Sequence, residues 1–169
     1  MNETIVTYRS WNKNDFHQVY KILQESWDKA YSSFIPKEDL TLYLNQTYNT
    51  EKLEELFNNE KVFCFVAEAD GMSVGWLKLS IDQVENRFYL SSIYLLPEFQ
   101  NLKIGRKLME IAFTEAKEKG FSEIWIGVMD NNTNALGWYE KIGFVFIEKL
   151  PFQMGKTVVQ HLIGRKKLL

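Results

Sequence analysis

The sequence predicts an α/β (α+β) fold, a mixed central sheet of about seven strands flanked by helices. Three observations lead there. Apolar residues recur at helical spacing through the first sixty positions, three strand-like runs then follow around sharp reversal signals, and helix alternates with strand beyond them. Residues 1–169 are expected to form a single domain, because 169 residues without a long linker, repeat or low-complexity tail suit one core. A domain of this size removes roughly 70% of its extended surface from water.

Ile5 to Arg9 reads as a short first strand. Asn14 to Ala30 reads as a helix, capped by Asn14 or Asn12, with Phe16, Val19, Tyr20, Leu23 and Trp27 on one face. Pro36 stands where a second helix can begin, and Leu40, Tyr43, Leu44 and Tyr48 continue it. Thr50 followed by Leu53, Leu56 and Phe57 gives a third, shorter one. The period then changes. Val62 to Ala67 is a continuous apolar strand, Asp70-Gly71 a reversal, and Val74 to Ser80 and Arg87 to Leu95 two further strands in antiparallel order. Ile104 to Lys119 is helical, with Leu108, Ile111, Ala112 and Ala116 inward and Gly120 as the stop. Glu123 to Met129 is a strand and Thr133 to Ile142 a helix. Phe144 to Phe152 and Thr157 to Gly164 form a closing antiparallel pair.

Composition excludes several functions. Twenty Lys plus Arg balance 22 Asp plus Glu, which gives no overall pull toward nucleic acid or an anionic membrane. One cysteine, Cys64, permits no internal disulfide and sits in an apolar strand as packing. Two histidines and one cysteine make no recognisable metal spacing, so no metal is expected. No signal peptide and no run of 18 apolar residues is visible, so a soluble, cytoplasmic protein is expected.

Chemistry concentrates in two segments. In Ser91 to Arg106, SSIYLLPEFQNLKIGR, a strand meets Pro97, turns, and enters a helix through Gln100-x-x-Lys103-x-Gly105-Arg106. A helix N-terminus offers unpaired N–H groups, Gly105 permits close approach, and Arg106 and Lys107 add charge, which together suit a pyrophosphate. Its bland counterpart is an ordinary solvated helix start. The second segment is Asn132-x-x-Ala135-x-x-x-Tyr139-x-x-x-Gly143-Phe144. One asparagine of Asp130-Asn131-Asn132-Thr133-Asn134 caps the helix, leaving others, Asn134 among them, for an amide-bearing cofactor arm. Tyr139 lies about two turns further on.

On these residues the chain resembles the GCN5-related N-acetyltransferase (GNAT) family over nearly its whole length. The resemblance implies the acyl-CoA N-acyltransferase fold and acetyl-CoA as acetyl donor, released as CoA. It places the cofactor on Ile93, Tyr94 and Leu95 of the fourth strand and on Gln100, Asn101, Leu102, Lys103, Ile104, Gly105 and Arg106 of the turn. It also assigns Asn132 to the pantetheine arm and Tyr139 to the general acid beside sulfur. The sequence departs from the family in carrying Lys103 at the first glycine position. Trp27-Asp28-Lys29-Ala30-Tyr31, Gly75-Trp76-Leu77-Lys78-Leu79, Ile124-Trp125-Ile126-Gly127-Val128 and Phe152-x-Met154-Gly155 resemble the PaiA-like polyamine and spermidine branch. Leu150-Pro151 stands where that branch commonly has a histidine, and Leu90-Ser91-Ser92 lacks its usual acidic residue.

The implied reaction is direct transfer of acetyl to a primary amine of a small molecule, polyamines included. Water, bulk solvent, Asp28 and Glu98 are all open as the base. Trp27, Tyr31, Phe34 and Tyr48 are expected around an acceptor, with Asp28 or Glu38 meeting an ammonium, although the same aromatics also suit helix–sheet packing. Protein lysine or N-terminal acetylation and a non-catalytic acyl-CoA-binding module are the alternatives. The expected partner is a small-molecule amine, with no nucleic acid or membrane, and the chain is expected to be a monomer or homodimer.

Overall fold

Residues 3–169 are described by a computed structural model. The chain forms β1 (Val6–Ser10), α1 (Phe16–Tyr31), α2 (Lys37–Thr47), α3 (Thr50–Phe57), β2 (Val62–Ala69), β3 (Met72–Asp82), β4 (Arg87–Leu95), α4 (Ile104–Glu118), β5 (Glu123–Met129), α5 (Thr133–Ile142), β6 (Val145–Met154) and β7 (Thr157–Lys167). The seven strands make one sheet in the order β1-β2-β3-β4-β5-β7-β6, antiparallel throughout except for the parallel β4–β5 pair. This is the mixed, helix-flanked sheet that the sequence predicts.

Element ends move for local reasons. The first helix begins later than Asn14, because a 3-10 turn over Lys13–Asp15 precedes it and Asn12 is the cap. Asn12 Oδ1 accepts from the Asn14 N–H, and Asp15 Oδ2 accepts from the Asn12 N–H, which closes a capping box. Asp70 and Gly71 both have positive φ, 52° and 77°, so a tight hairpin lengthens β2 and β3 to meet it. Pro151 is tolerated because β6 is an edge strand that pairs only with β7.

Two apolar clusters cover the two sheet faces. Leu77, Leu79, Phe88, Leu90 and Leu95 pack with Leu108, Met109 and Ala112 of α4 and with Tyr139 of α5. On the opposite face, Val66 and Trp76 pack with Val19, Leu23, Trp27, Leu40, Leu44 and Leu53 of the first three helices. Cys64 belongs to this second cluster and is 4% exposed. Burial pushes its thiol up to about 12, which leaves it an inert packing group.

The β4 strand changes phase at Ser91. Lys78 pairs with Ser92 and Leu79 with Leu90, so Ser91 is an extra, bulged residue. Phe88 and Leu90 face α4 before the bulge, while Ile93 and Leu95 do so after it. The β4–β5 ladder contains only Tyr89–Trp125 and Leu90–Ile126. Beyond them the two strands separate.

Candidate functional site

The separation of β4 from β5 opens a cavity of about 1100 Å³. Leu90 to Leu95 line one wall, Ile126 to Met129 the other, and the starts of α4 and α5 lie at its mouth. Each of those helices follows one of the diverging strands, so both N-terminal ends come to the same crevice. That is the position where open α/β sheets bind ligands, with free N–H groups aimed at an anion.

At the α4 end, a 3-10 turn over Pro97–Phe99 brings the chain round to Lys103. Lys103 is the residue before the helix and adopts φ 61°, ψ 15°, the left-handed region. This explains the glycine expected at that position: only a residue without Cβ enters that region at no cost. Lys107 N–H is the donor that returns to the Lys103 carbonyl, which leaves the preceding first-turn N–H groups without helix partners. A Cβ on Gly105 would meet Leu95 and Trp138 at no closer than 3.7 Å, so the fold itself has room for one. The absent side chain opens the cavity rather than relieving a clash.

At the α5 end Asn132 Oδ1 accepts from the Ala135 N–H at 3.3 Å, so Asn132 caps the helix. Asn131 and Asn134 also line the cavity. Tyr139 lines it from one turn before the helix end and is 7% exposed. Burial, with Tyr31 nearby, pushes its phenol well above the ordinary tyrosine value, and it therefore holds its proton at neutral pH.

The far end is roofed by α1, α2 and β6. Trp27, Tyr31, Tyr43, Tyr48 and Phe152 line it, and the Tyr31 and Tyr94 hydroxyls are 3.0 Å apart. Asp39 joins α2 to the β6–β7 turn, accepting from the Lys156 N–H at 2.9 Å and from the Thr157 hydroxyl. Gly155 in that turn has φ 61°, and a Cβ there would come within 2.8 Å of the Asp39 backbone. His161 of β7 stacks on Phe152 at 4.2 Å between ring centroids and faces the cavity. Burial lowers its pKa, so the imidazole is neutral at pH 7.

The structure brings together most of the residues singled out from sequence. Ile93, Tyr94, Leu95, Gln100, Asn101, Lys103, Gly105, Arg106, Asn132, Asn134 and Tyr139 all line the cavity, as do Trp27 and Tyr31. Leu102 and Ile104 do not: the first is exposed and the second is fully buried in the α4 core. Asp28 and Glu38 are also outside. Asp28 Oδ1 lies 3.4 Å from Lys37 Nζ on the outer face, and Glu38 is exposed in the first turn of α2. The expectation that either carboxylate meets an ammonium in the pocket is corrected by this placement. Glu98 is likewise exposed and outside the cavity. Lys78 and His161 also line it: Lys78 stands in the Gly75–Leu79 run quoted for the branch resemblance without having been singled out, and His161 carries no local motif.

The family model for "Acetyltransferase (GNAT) family" matches residues 16–144. The chain belongs to this family. A spermidine N(1)-acetyltransferase of Thermoplasma acidophilum is 27% identical over 143 residues, 82% of this chain and 88% of that protein. An uncharacterised N-acetyltransferase of Lactobacillus delbrueckii subsp. lactis is 27% identical over 164 residues, 94% of this chain and 95% of the relative. Among solved structures, a PaiA N-acetyltransferase from Thermoplasma acidophilum in complex with coenzyme A superimposes with a TM-score of 0.84 at 25% identity. That match covers 96% of this chain and 99% of the other. No helix among the described residues is long and apolar enough to cross a membrane.

The left-handed conformation of Lys103 generates a test. Lys103→Gly removes a backbone cost of about 1–2 kcal/mol and returns part of it as extra unfolded-chain entropy. The expected net gain is about 0.5–1 kcal/mol, read as a Tm rise of about 1–4 °C in thermal unfolding. Lys103→Ala, which keeps the Cβ, gives no comparable rise.

Proposed function

We propose that the protein transfers an acetyl group from acetyl-CoA directly to the primary amine of a small molecule. The observation that carries this reading is the continuous cavity that joins the helix N-termini of α4 and α5 to an aromatic chamber, with a buried protonated phenol between them. The chain's likeness to a spermidine acetyltransferase, and to a PaiA enzyme with coenzyme A bound, supports the donor and the small-amine class.

The residues present fit such a donor. The first-turn N–H groups of α4, with Lys103 and Arg106 beside them, would hold its pyrophosphate, and the open face of Gly105 would admit it. Asn131 and Asn134 would meet the amides of its arm, and Asn132 would do so with the amide that its cap leaves free. The bound donor supplies an activated acyl carbon, to which the amine nitrogen bonds as the carbon–sulfur bond breaks. The unpaired β4 edge offers N–H groups to negative charge building on the acyl oxygen. Tyr139 gives its proton to the departing sulfur. The proton lost by the amine passes to His161, directly or through water, and then to solvent, from which Tyr139 is reprotonated. Among the described residues, its neutral imidazole is the cavity-lining side chain suited to accept that proton near neutrality.

Incubation with acetyl-CoA and a panel of primary amines should release free thiol together with an N-acetylated product detected by mass spectrometry. Thiol release without any acetylated amine would sink the proposal. Tyr139→Phe keeps the ring and removes the donor, so turnover should fall by up to about 100-fold while the KM for acetyl-CoA stays within a few-fold. An unchanged chemical step, measured in single turnover, would remove Tyr139 from that role.

The histidine sets a pH signature. Its folded-state pKa is lowered, so the base remains deprotonated through pH 7 and loses function only as pH falls through that lowered value. With kcat/KM expressed against the concentration of neutral amine, the acid limb should therefore lie below about 6.5, the ordinary histidine value. The limb should disappear in His161→Gln, at a lower plateau; an identical profile in the variant would exclude the role.

A further inference from the structure

The aromatic end of the cavity carries a cation without an anionic partner. Lys78 Nζ donates to the Tyr48 hydroxyl at 2.8 Å and lies 4.9 Å from the Tyr48 ring and 5.9 Å from the Trp76 ring. Among the described residues no carboxylate comes within ion-pair distance of it. The indole N–H groups of Trp27 and Trp76 are buried and also unpartnered. Their rings flank the Tyr48 ring, each at 5.8 Å; Trp27 lines the cavity beside the phenol that accepts from Lys78, and Trp76 is fully buried outside its lining.

The rest of the cavity deepens the imbalance. Among the described residues its lining contains Lys29, Lys78, Lys103 and Arg106 but no Asp or Glu. Lys103 and Arg106 flank the α4 start, and Lys29 Nζ donates to Gln100 in the turn before it, so these three serve the phosphate end. Lys78 is the cation left over. It pairs across the sheet with Ser92 of β4, one strand spacing, about 4.8 Å, from the edge of the cleft.

We infer that the acceptor is a small amino carboxylate. Its carboxylate pairs with Lys78, and its amine, one to a few carbons away, reaches past Ser92 and Tyr94 into the cleft. The inference rests on the acetyl-transfer reading of this cavity. A carboxylate supplies the anionic partner that the Lys78 ammonium lacks, through charge-assisted hydrogen bonds. A diamine or polyamine would instead bring a second ammonium against Lys78 with no carboxylate to offset it. The cation also favours the neutral form of the attacking amine, the form that has a lone pair to give.

The test compares matched acceptors: short amino carboxylates, their carboxamides, and diamines of equal length. With acetyl-CoA, kcat/KM for the carboxylates should exceed that for the carboxamides by about 10- to 100-fold. Lys78→Met should bring that ratio toward one, Lys78→Gln should do the same as a second variant without the cation, and Lys78→Arg should keep the preference. Calorimetry without turnover, with coenzyme A in place of acetyl-CoA, should show the amino carboxylate binding about 10- to 100-fold more weakly to Lys78→Met. Diamines or carboxamides used as well as carboxylates, or a ratio untouched by Lys78→Met, would overturn the inference and leave acetyl transfer standing. Absence of acetylated product from every class of amine would overturn both.

Discussion

The parting of β4 from β5 after Leu90 and Ile126 is the constraint on which the rest of the molecule turns. Each strand is held along its other edge, β4 by β3 and β5 by β7, so neither can follow its neighbour without losing a longer ladder. The Ser91 bulge gives β4 one residue more than its β3 partner and re-aims the side chains beyond it. Backbone groups along the parted edges are then left facing a crevice, where burial without a partner is costly. A ligand able to bond those edges satisfies them. The connectivity does the rest, because the helix after each parted strand begins at the crevice mouth.

The chamber beyond depends on a second, smaller tie. Beyond the packing of Leu40 and Leu44 against the sheet, α2 meets β6, an exposed edge strand, over the cavity. Asp39 bridges them by accepting from Lys156 and Thr157. The Thr157 hydroxyl, then the Lys156 N–H, hold its pKa below the ordinary value, so the tie is complete above that value and fails as pH falls through the folded-state pKa. Trp27, Tyr43 and Phe152 meet under this roof, with Tyr43 and Phe152 at 5.6 Å between centroids. The aromatic chamber is thus a contact between distant segments of the chain.

That distance along the chain decides how much the sequence discloses. Helices, strands and the crevice-mouth motifs are local patterns, legible to within a few residues; even the bulge leaves a trace, since the apolar beat of Phe88 and Leu90 slips to Ile93 and Leu95. Asp28 and Glu38 misled because neighbours in a helix do not share a face. Trp27 and Tyr31, four apart, point inward together, and Asp28, one step or about 100° round, points to Lys37. Glu38 is exposed beside the inward Asp39 for the same reason. Lys78 shares the face of Trp76 by strand alternation, yet nothing local says that Tyr48 will sit above it. His161 gains its meaning only from Phe152 across the β6–β7 hairpin.

The titratable groups around the cavity share one tendency. Burial raises Tyr31, Tyr94 and Tyr139 and lowers His161, so each is held in its neutral form through the physiological range. The fixed charge comes instead from Lys29, Lys78, Lys103 and Arg106 and from two helix N-termini, and all of it is positive. A neutral proton-transfer pair inside a positive frame suits a reaction whose nucleophile must be an uncharged amine and whose leaving group departs with electrons. In the proposed transfer the frame would lower the pKa of the entering amine and steady negative charge as it passes from acyl oxygen to sulfur. In the proposed reaction such a field would favour the neutral amine without a strand-borne carboxylate, and the imidazole kept neutral by burial would take its proton.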